Sequence, residues 1–213
     1  MLFKRKEIWV PTWKGWLVLF AAFVALIIGA VAFTPAFLAP TKPLGAPVLV
    51  VEGWISDYAL ERAIKLNETN HYALVITSGQ NIERGLDVSH YGTYAELGAE
   101  RLVNLGFKGT NLVKVPAPPS KKDRTYHSAL AVRRYLLTNT TYRSIDILSD
   151  SVHSRRTWLL YEKACGPEIK VGIISNPNDG FTSSNWWHTS NGVRNVINEA
   201  IGYLYARLVF RPD

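Results

Sequence analysis

Cysteine is almost absent from this chain: Cys165 is the only one in 213 residues. A lone cysteine excludes an intramolecular disulfide and every metal motif built on several thiolates. Cys165 falls in a helical apolar pattern and reads as a buried, inert thiol. Several signatures are missing too. There is no G-x-x-x-x-G-K-[ST], no G-x-G-x-x-G after the first strand pattern, no G-x-S-x-G and no H-E-x-x-H. P-loop NTPase, ordinary dinucleotide-enzyme and α/β-hydrolase readings lose weight accordingly. A strong one-signed charge is also lacking. The net charge is +7, and residues 1–40 supply +3 of it from Lys4, Arg5, Lys6 and Lys14 against Glu7. The remainder mixes signs and carries no Lys/Arg stripe with interleaved aromatics, so no nucleic-acid partner is expected. No internal repeat or low-complexity tract is visible.

What is present begins with an apolar run. Residues 15–33 are 19 positions without a charge, GWLVLFAAFVALIIGAVAF. A helix of that length is roughly 28 Å long, close to the ~30 Å hydrocarbon thickness of a bilayer. Trp13 and Trp16 stand at its start, as interfacial aromatics do. The expected organisation is a basic N-terminus (1–14), a transmembrane helix (15–34), a Pro-rich linker leading away from the membrane (35–45) and an α/β domain (46–213). Basic residues before the run outnumber those just after it. The positive-inside rule therefore puts the N-terminus in the cytoplasm and the domain in the periplasm or beyond. A signal peptide cut near Ala30-Val31-Ala32 and a buried core helix are the competing readings.

From residue 46 strand and helix patterns alternate. Apolar runs of strand length cover 48–51, 73–77, 112–115, 145–148 and 171–174. Helical patterns cover 57–66, 93–105, 125–137, 152–164 and 193–209. Continuous apolar strands separated by helices predict a mainly parallel sheet covered on both faces, a three-layer Rossmann-like α/β sandwich. Right-handed crossovers would join its strands.

Ligands in such a sheet bind beyond the carboxyl ends of the strands. That rule selects the candidates. Glu52 and Gly53 follow the first strand: Glu52 is a possible general base, metal ligand or hydroxyl acceptor, or else a plain turn residue. Gly79 follows the second, where it would let a ligand approach the backbone. The polar loop 81–91 adds Glu83, Arg84, Asp87 and His90. After the third strand come Lys121, Lys122 and Asp123-Arg124-Thr125, with Asp123 or Thr125 as candidate helix caps. Segment 144–156 is the most telling. Its strand ends at Ser149-Asp150-Ser151, and His153, Arg155 and Arg156 occupy the first turn of the next helix. Cations there oppose the helix dipole. Beside the free N–H groups of a helix start they point to an anion pocket. His153 and Arg156 share a helix face, while Arg155 reads as a solvated side chain. Trp186-Trp187-His188 reads as core cover more than pocket lining, and Glu199 faces either the cleft or solvent.

The order Glu52-Gly53-Trp54, Val75-Ile76-Thr77-Ser78-Gly79, Asp123-Arg124-Thr125, Ser149 with His153-Ser-Arg-Arg156, and Glu199 resembles the YdcF-like domain family, which includes SanA and ElyC. The resemblance spans about residues 46–210; its most specific piece is the strand followed by Ser149-x-x-x-His153-x-x-Arg156. It implies a Rossmann-like fold, for many members a single N-terminal membrane helix, and a role in cell-envelope integrity, peptidoglycan or surface polysaccharide metabolism. S-adenosylmethionine binding is associated with one soluble member type, whereas this chain has Glu52 where many members have a Gly-rich turn. Three functions compete. The first is an envelope enzyme acting on a phosphorylated or lipid-linked sugar. There Arg156, Arg124, Thr125, Ser149, Gly79 and Gly53 bind the ligand, His153 is acid or base, and Glu52 is a second base. The second is a non-catalytic anion-binding module, and the third an S-adenosylmethionine or nucleotide binder. No metal set and no cofactor follow from the residues.

Overall fold

The computed structural model describes residues 8–82 and 91–212. Five strands form one parallel sheet: β1 (Val48–Glu52), β2 (Leu74–Gly79), β3 (Leu112–Pro116), β4 (Ser144–Asp150) and β5 (Lys170–Asn176). Their spatial order is β3-β2-β1-β4-β5. The chain therefore winds outward from β1 in one direction and from β4 in the other. The crevice between the ends of β1 and β4 is the topological switch point, where such sheets hold ligands.

Six α-helices are described: α1 (Trp13–Leu38), α2 (Asp57–Asn70), α3 (Tyr94–Asn104), α4 (Arg124–Asn139), α5 (Ser154–Cys165) and α6 (Ser190–Leu208). β1 shows why both faces are covered. Its Val48 and Val50 pack with Ala129 and Val132 of α4 and with Leu160 and Tyr161 of α5. Leu49 and Val51 point the other way, into Ala59, Leu60 and Ala63 of α2 and Leu102 of α3. Period-2 alternation thus feeds two cores, and a strand buried on both faces needs apolar residues throughout. Cys165 is fully buried in the first core, and burial pushes its thiol up to about 12.

α1 is long and apolar enough to cross a membrane. It runs past the expected boundary, through Pro35 to Leu38. Proline supplies no N–H in a helix interior, but the helix continues because its end is held from outside. Pro35 and Leu38 are buried. Leu38 joins Val152, Phe181, Trp186 and Val196 in a third apolar cluster, which confirms Trp186 as core cover. Trp187 is half exposed. The segment after α1, expected to lead away as a spacer, lies along the sheet edge instead. Lys42 pairs with Ile173 as an antiparallel bridge. The fully buried carboxylate of Asp146 accepts the N–H groups of Leu44 at 2.7 Å and Ala46 at 3.0 Å.

Candidate functional site

A cleft of about 550 Å³ opens beyond the carboxyl ends of β1, β2 and β4. Strand ends supply Glu52, Ser78 and Gly79; the start of α4 supplies Asp123, Arg124 and Thr125; α6 supplies Glu199, Gly202 and Tyr205. His153 and Arg156 enter from the turn after β4. That turn is tight. Ser151 sits at φ +39°, a left-handed conformation that non-glycine residues rarely adopt and that functional sites store. A 3-10 turn, Ser151–His153, follows and aims the imidazole inward before α5 begins.

Glu52 is buried, and its carboxylate accepts the Ser149 hydroxyl at 2.5 Å. Thr157, one turn beyond His153 on the same face, lies 3.5 Å away. Across from them Glu199 receives Arg156 through two bonds, Nε to Oε2 at 2.8 Å and Nη2 to Oε1 at 2.9 Å. His153 stands between the two carboxylates. Its Nδ1 is 3.0 Å from Glu199 Oε1, and its Nε2 faces Glu52 Oε1 at 3.6 Å. The Trp54 ring meets the imidazole edge-on, centroids 5.0 Å apart. Burial opposes the imidazolium, but Glu52 and Glu199 outweigh it and push His153 up to about 9. Burial likewise works against the Glu199 charge, yet the hydrogen bonds of His153 and Arg156 hold that carboxyl down to about 2. The balance favours the imidazolium at neutral pH. Its Nδ1 lies 3.0 Å from both Glu199 Oε1 and Arg156 Nη2, and its Nε2 is buried with no bonded partner.

The structure brings Glu52, Ser149, His153 and Arg156 together and gives several of them tasks other than the expected ones. Arg156 is occupied by Glu199, so it neutralises a buried carboxylate instead of standing open to an anion. Ser149 is fully buried and bonded to Glu52. Gly79 lines the cleft, and both Gly53 and Gly79 are also close-packed: a Cβ on either would strike Tyr94 at the start of α3, at 2.6 Å from the Tyr94 Cβ in the case of Gly79. Asp123 occupies the N-cap position of α4 at φ +51°, and its side chain caps no N–H. Arg124 and Thr125 line the cleft together with Lys121, so the cationic wall is the start of α4. Arg155, read as a solvated side chain, remains partly exposed but has a partner: it stacks on the Phe37 ring, 3.9 Å from the centroid, and donates to the Phe37 carbonyl. His127 packs beside Tyr126, away from the cleft lining. Glu83, Arg84, Asp87 and His90 lie outside the described residues.

Trp54 and Gln80 follow strand ends, where ligands are expected, but no role was read for either, and Thr157 was not legible as a site residue. The Nε2 of Gln80 is a buried donor without a partner, on a residue that lines the cleft. Thr157 had one available signal, its position four residues after His153. Among the described residues no group of three or more His, Cys, Asp and Glu is arranged to hold a metal ion. Comparison with protein-family models, curated proteins and solved structures finds no match to the chain.

Proposed function

We propose that the protein is a membrane-anchored, YdcF-like α/β protein of the bacterial cell envelope whose cleft binds and processes an anionic phosphorylated or lipid-linked sugar. The reaction serves peptidoglycan or surface polysaccharide biogenesis or integrity. The observation that carries this reading is the pairing of two walls in one cleft. One wall holds a protonated His153 between Glu52 and Glu199. The other presents Lys121, Arg124 and the first turn of α4, whose N–H groups and dipole favour an anion. The partnerless Nε2–H of Gln80 adds a buried donor for a ligand oxygen. In the proposed reaction the phosphoryl group rests on the α4 wall, water attacks its phosphorus, and the P–O bond to the sugar breaks; His153 protonates the departing sugar oxygen, while the water's proton passes to the phosphate that is released. Glu52 stabilises the imidazolium through space and orients Ser149.

Isothermal titration with a sugar 1-phosphate and with a short-chain polyprenyl-diphosphate sugar tests the binding. Arg124→Ala with Lys121→Ala is expected to weaken it at least tenfold; failure of the parent to bind either ligand overturns the reading. Turnover of the bound ligand that disappears in His153→Gln supports catalysis. The occupied Arg156 and the buried Ser149 favour a second reading, a binding module that turns nothing over. Its mark is binding without turnover in the parent. The proposed orientation places the domain outside the cytoplasm, and a C-terminal alkaline phosphatase fusion is expected to be active.

A further inference from the structure

Helix α6 has an apolar face that the core does not use. Ile197, Ile201, Leu204 and Leu208 are 47%, 61%, 54% and 74% exposed. Their spacing of four, three and four residues sets them in one row along the helix. The first three each follow, by one position, a residue packed around the end of α1: Val196, Ala200 and Tyr203. One position is about 100° around a helix. The apolar row therefore runs beside the α1 contact and parallel to it.

The depth of that contact is set by α1. A span of about 20 residues that starts near Trp13 is complete near residue 34. Phe37 and Leu38 come just after it. Phe37 meets the Tyr203 ring edge-on at 5.4 Å, and Leu38 is 1% exposed within the α6 cluster. The stretch of α6 from Val196 to Leu204 is thus held at the bilayer boundary. Arg194 and Arg207, both exposed, flank the row on its two sides, where long cationic side chains reach lipid phosphates.

We propose that α6 lies along the bilayer surface, with Ile197, Ile201, Leu204 and Leu208 pressed into the boundary between headgroups and acyl chains. The occupant of this face is lipid rather than a second copy of the chain. The row adjoins the exit of the anchor, and arginines rim it as an anionic lipid surface requires. Gly202 and Tyr205 of the same helix line the cleft, so its α6 wall stands at headgroup level. The proposal rests on the reading that α1 crosses a bilayer.

The test uses the full chain in vesicles of phosphatidylcholine and phosphatidylglycerol. Ile201→Cys and Leu204→Cys are labelled with an environment-sensitive fluorophore; Cys165 is buried and does not compete. Leu26→Cys in α1 and Glu61→Cys on α2, across the sheet, serve as controls. Expected are a blue shift and quenching by shallowly brominated lipid at 201 and 204, matching probes about 5–10 Å deep, and neither effect at 61. Probes at 201 and 204 that behave like the one at 61, while 26 is quenched, overturn the docking of α6 and leave the anchor intact. An unquenched probe at 26 overturns the anchor and the proposal with it. Probes at 201 that are shielded from water, unquenched by lipid and cross-linked between chains overturn it in favour of a second copy.

Discussion

The charge on His153 is set by two carboxylates that reach it from different parts of the chain. Glu52 arrives at the end of β1 and Glu199 from the middle of α6, 147 positions later. Removing one of them separates the contributions. Glu199→Gln keeps the shape but withdraws a negative charge and an acceptor, so the imidazolium loses stabilisation and Arg156 loses its partner. We predict that His153, titrated by NMR near pH 9 in the parent, titrates lower in Glu199→Gln; an unchanged midpoint would mean that Glu52 alone holds the proton. The stability consequence follows from the signs. His153 is raised from 6.5 to about 9, so its contribution is complete below about pH 6.5 and is lost as pH rises through about 9. Glu199 is lowered from 4.5 to about 2, so its contribution is complete above about pH 4.5 and is lost as pH falls toward 2. The pair acts in full between those limits. Urea-unfolding free energies of the parent minus those of His153→Gln are expected to shrink between pH 6.5 and 9. A difference that stays flat across this range would show that the histidine is not charged in the folded chain.

Two elements carry the cleft by close backbone approach. The start of α3 sits against the end of β1, and a Cβ on Gly98 would come within 2.5 Å of the Gly53 Cα. Both partners are backbone, so neither can move aside. Gly98→Ala is expected to cost about 1–3 kcal/mol in chemical denaturation and to displace the strand end that bears Glu52. At the other sheet edge Asp146→Ala would strand the N–H groups of Leu44 and Ala46. The expected loss is about 1–3 kcal/mol, with faster proteolysis at 39–47. Neither device was legible beforehand, because a glycine in a helix or an aspartate in a strand does not reveal what crosses it. The strands themselves were legible. The run 48–51 is apolar at every position, as a doubly covered strand requires, and all five strand-length runs became strands. Glu52, Ser149, His153 and Arg156 converged for the same reason: strand ends at a switch point share one edge. Glu199 was ambiguous because α6 is apolar on two sides. Val196 is buried while Ile197 and Ile201 are exposed, so hydrophobicity alone could not say which side faces the domain.

At the scale of the whole molecule, the apolar N-terminal helix α1 is docked to the domain rather than tethered to it. Leu38 enters the third cluster, Phe37 stacks on Tyr203 of α6, and Arg155 of α5 closes over the Phe37 ring. The first turn of α5 is therefore gripped on both sides. Arg155 ties it to α1, and the next residue, Arg156, ties it to Glu199 on α6. His153 is the N-cap of that turn, so the end of α1 and the imidazole in the cleft share one support. The consequence is measurable. Leu38→Ala empties a fully packed position, and Leu-to-Ala replacements of this kind cost about 2–5 kcal/mol. Leu26→Ala removes as many atoms from an exposed stretch of the same helix. In detergent micelles the urea midpoint of the domain is expected to fall for Leu38→Ala and to stay in place for Leu26→Ala. The His153 titration is expected to move only in the former. Equal midpoints for both variants would show that α1 is a mere tether and that the cleft is indifferent to its docking.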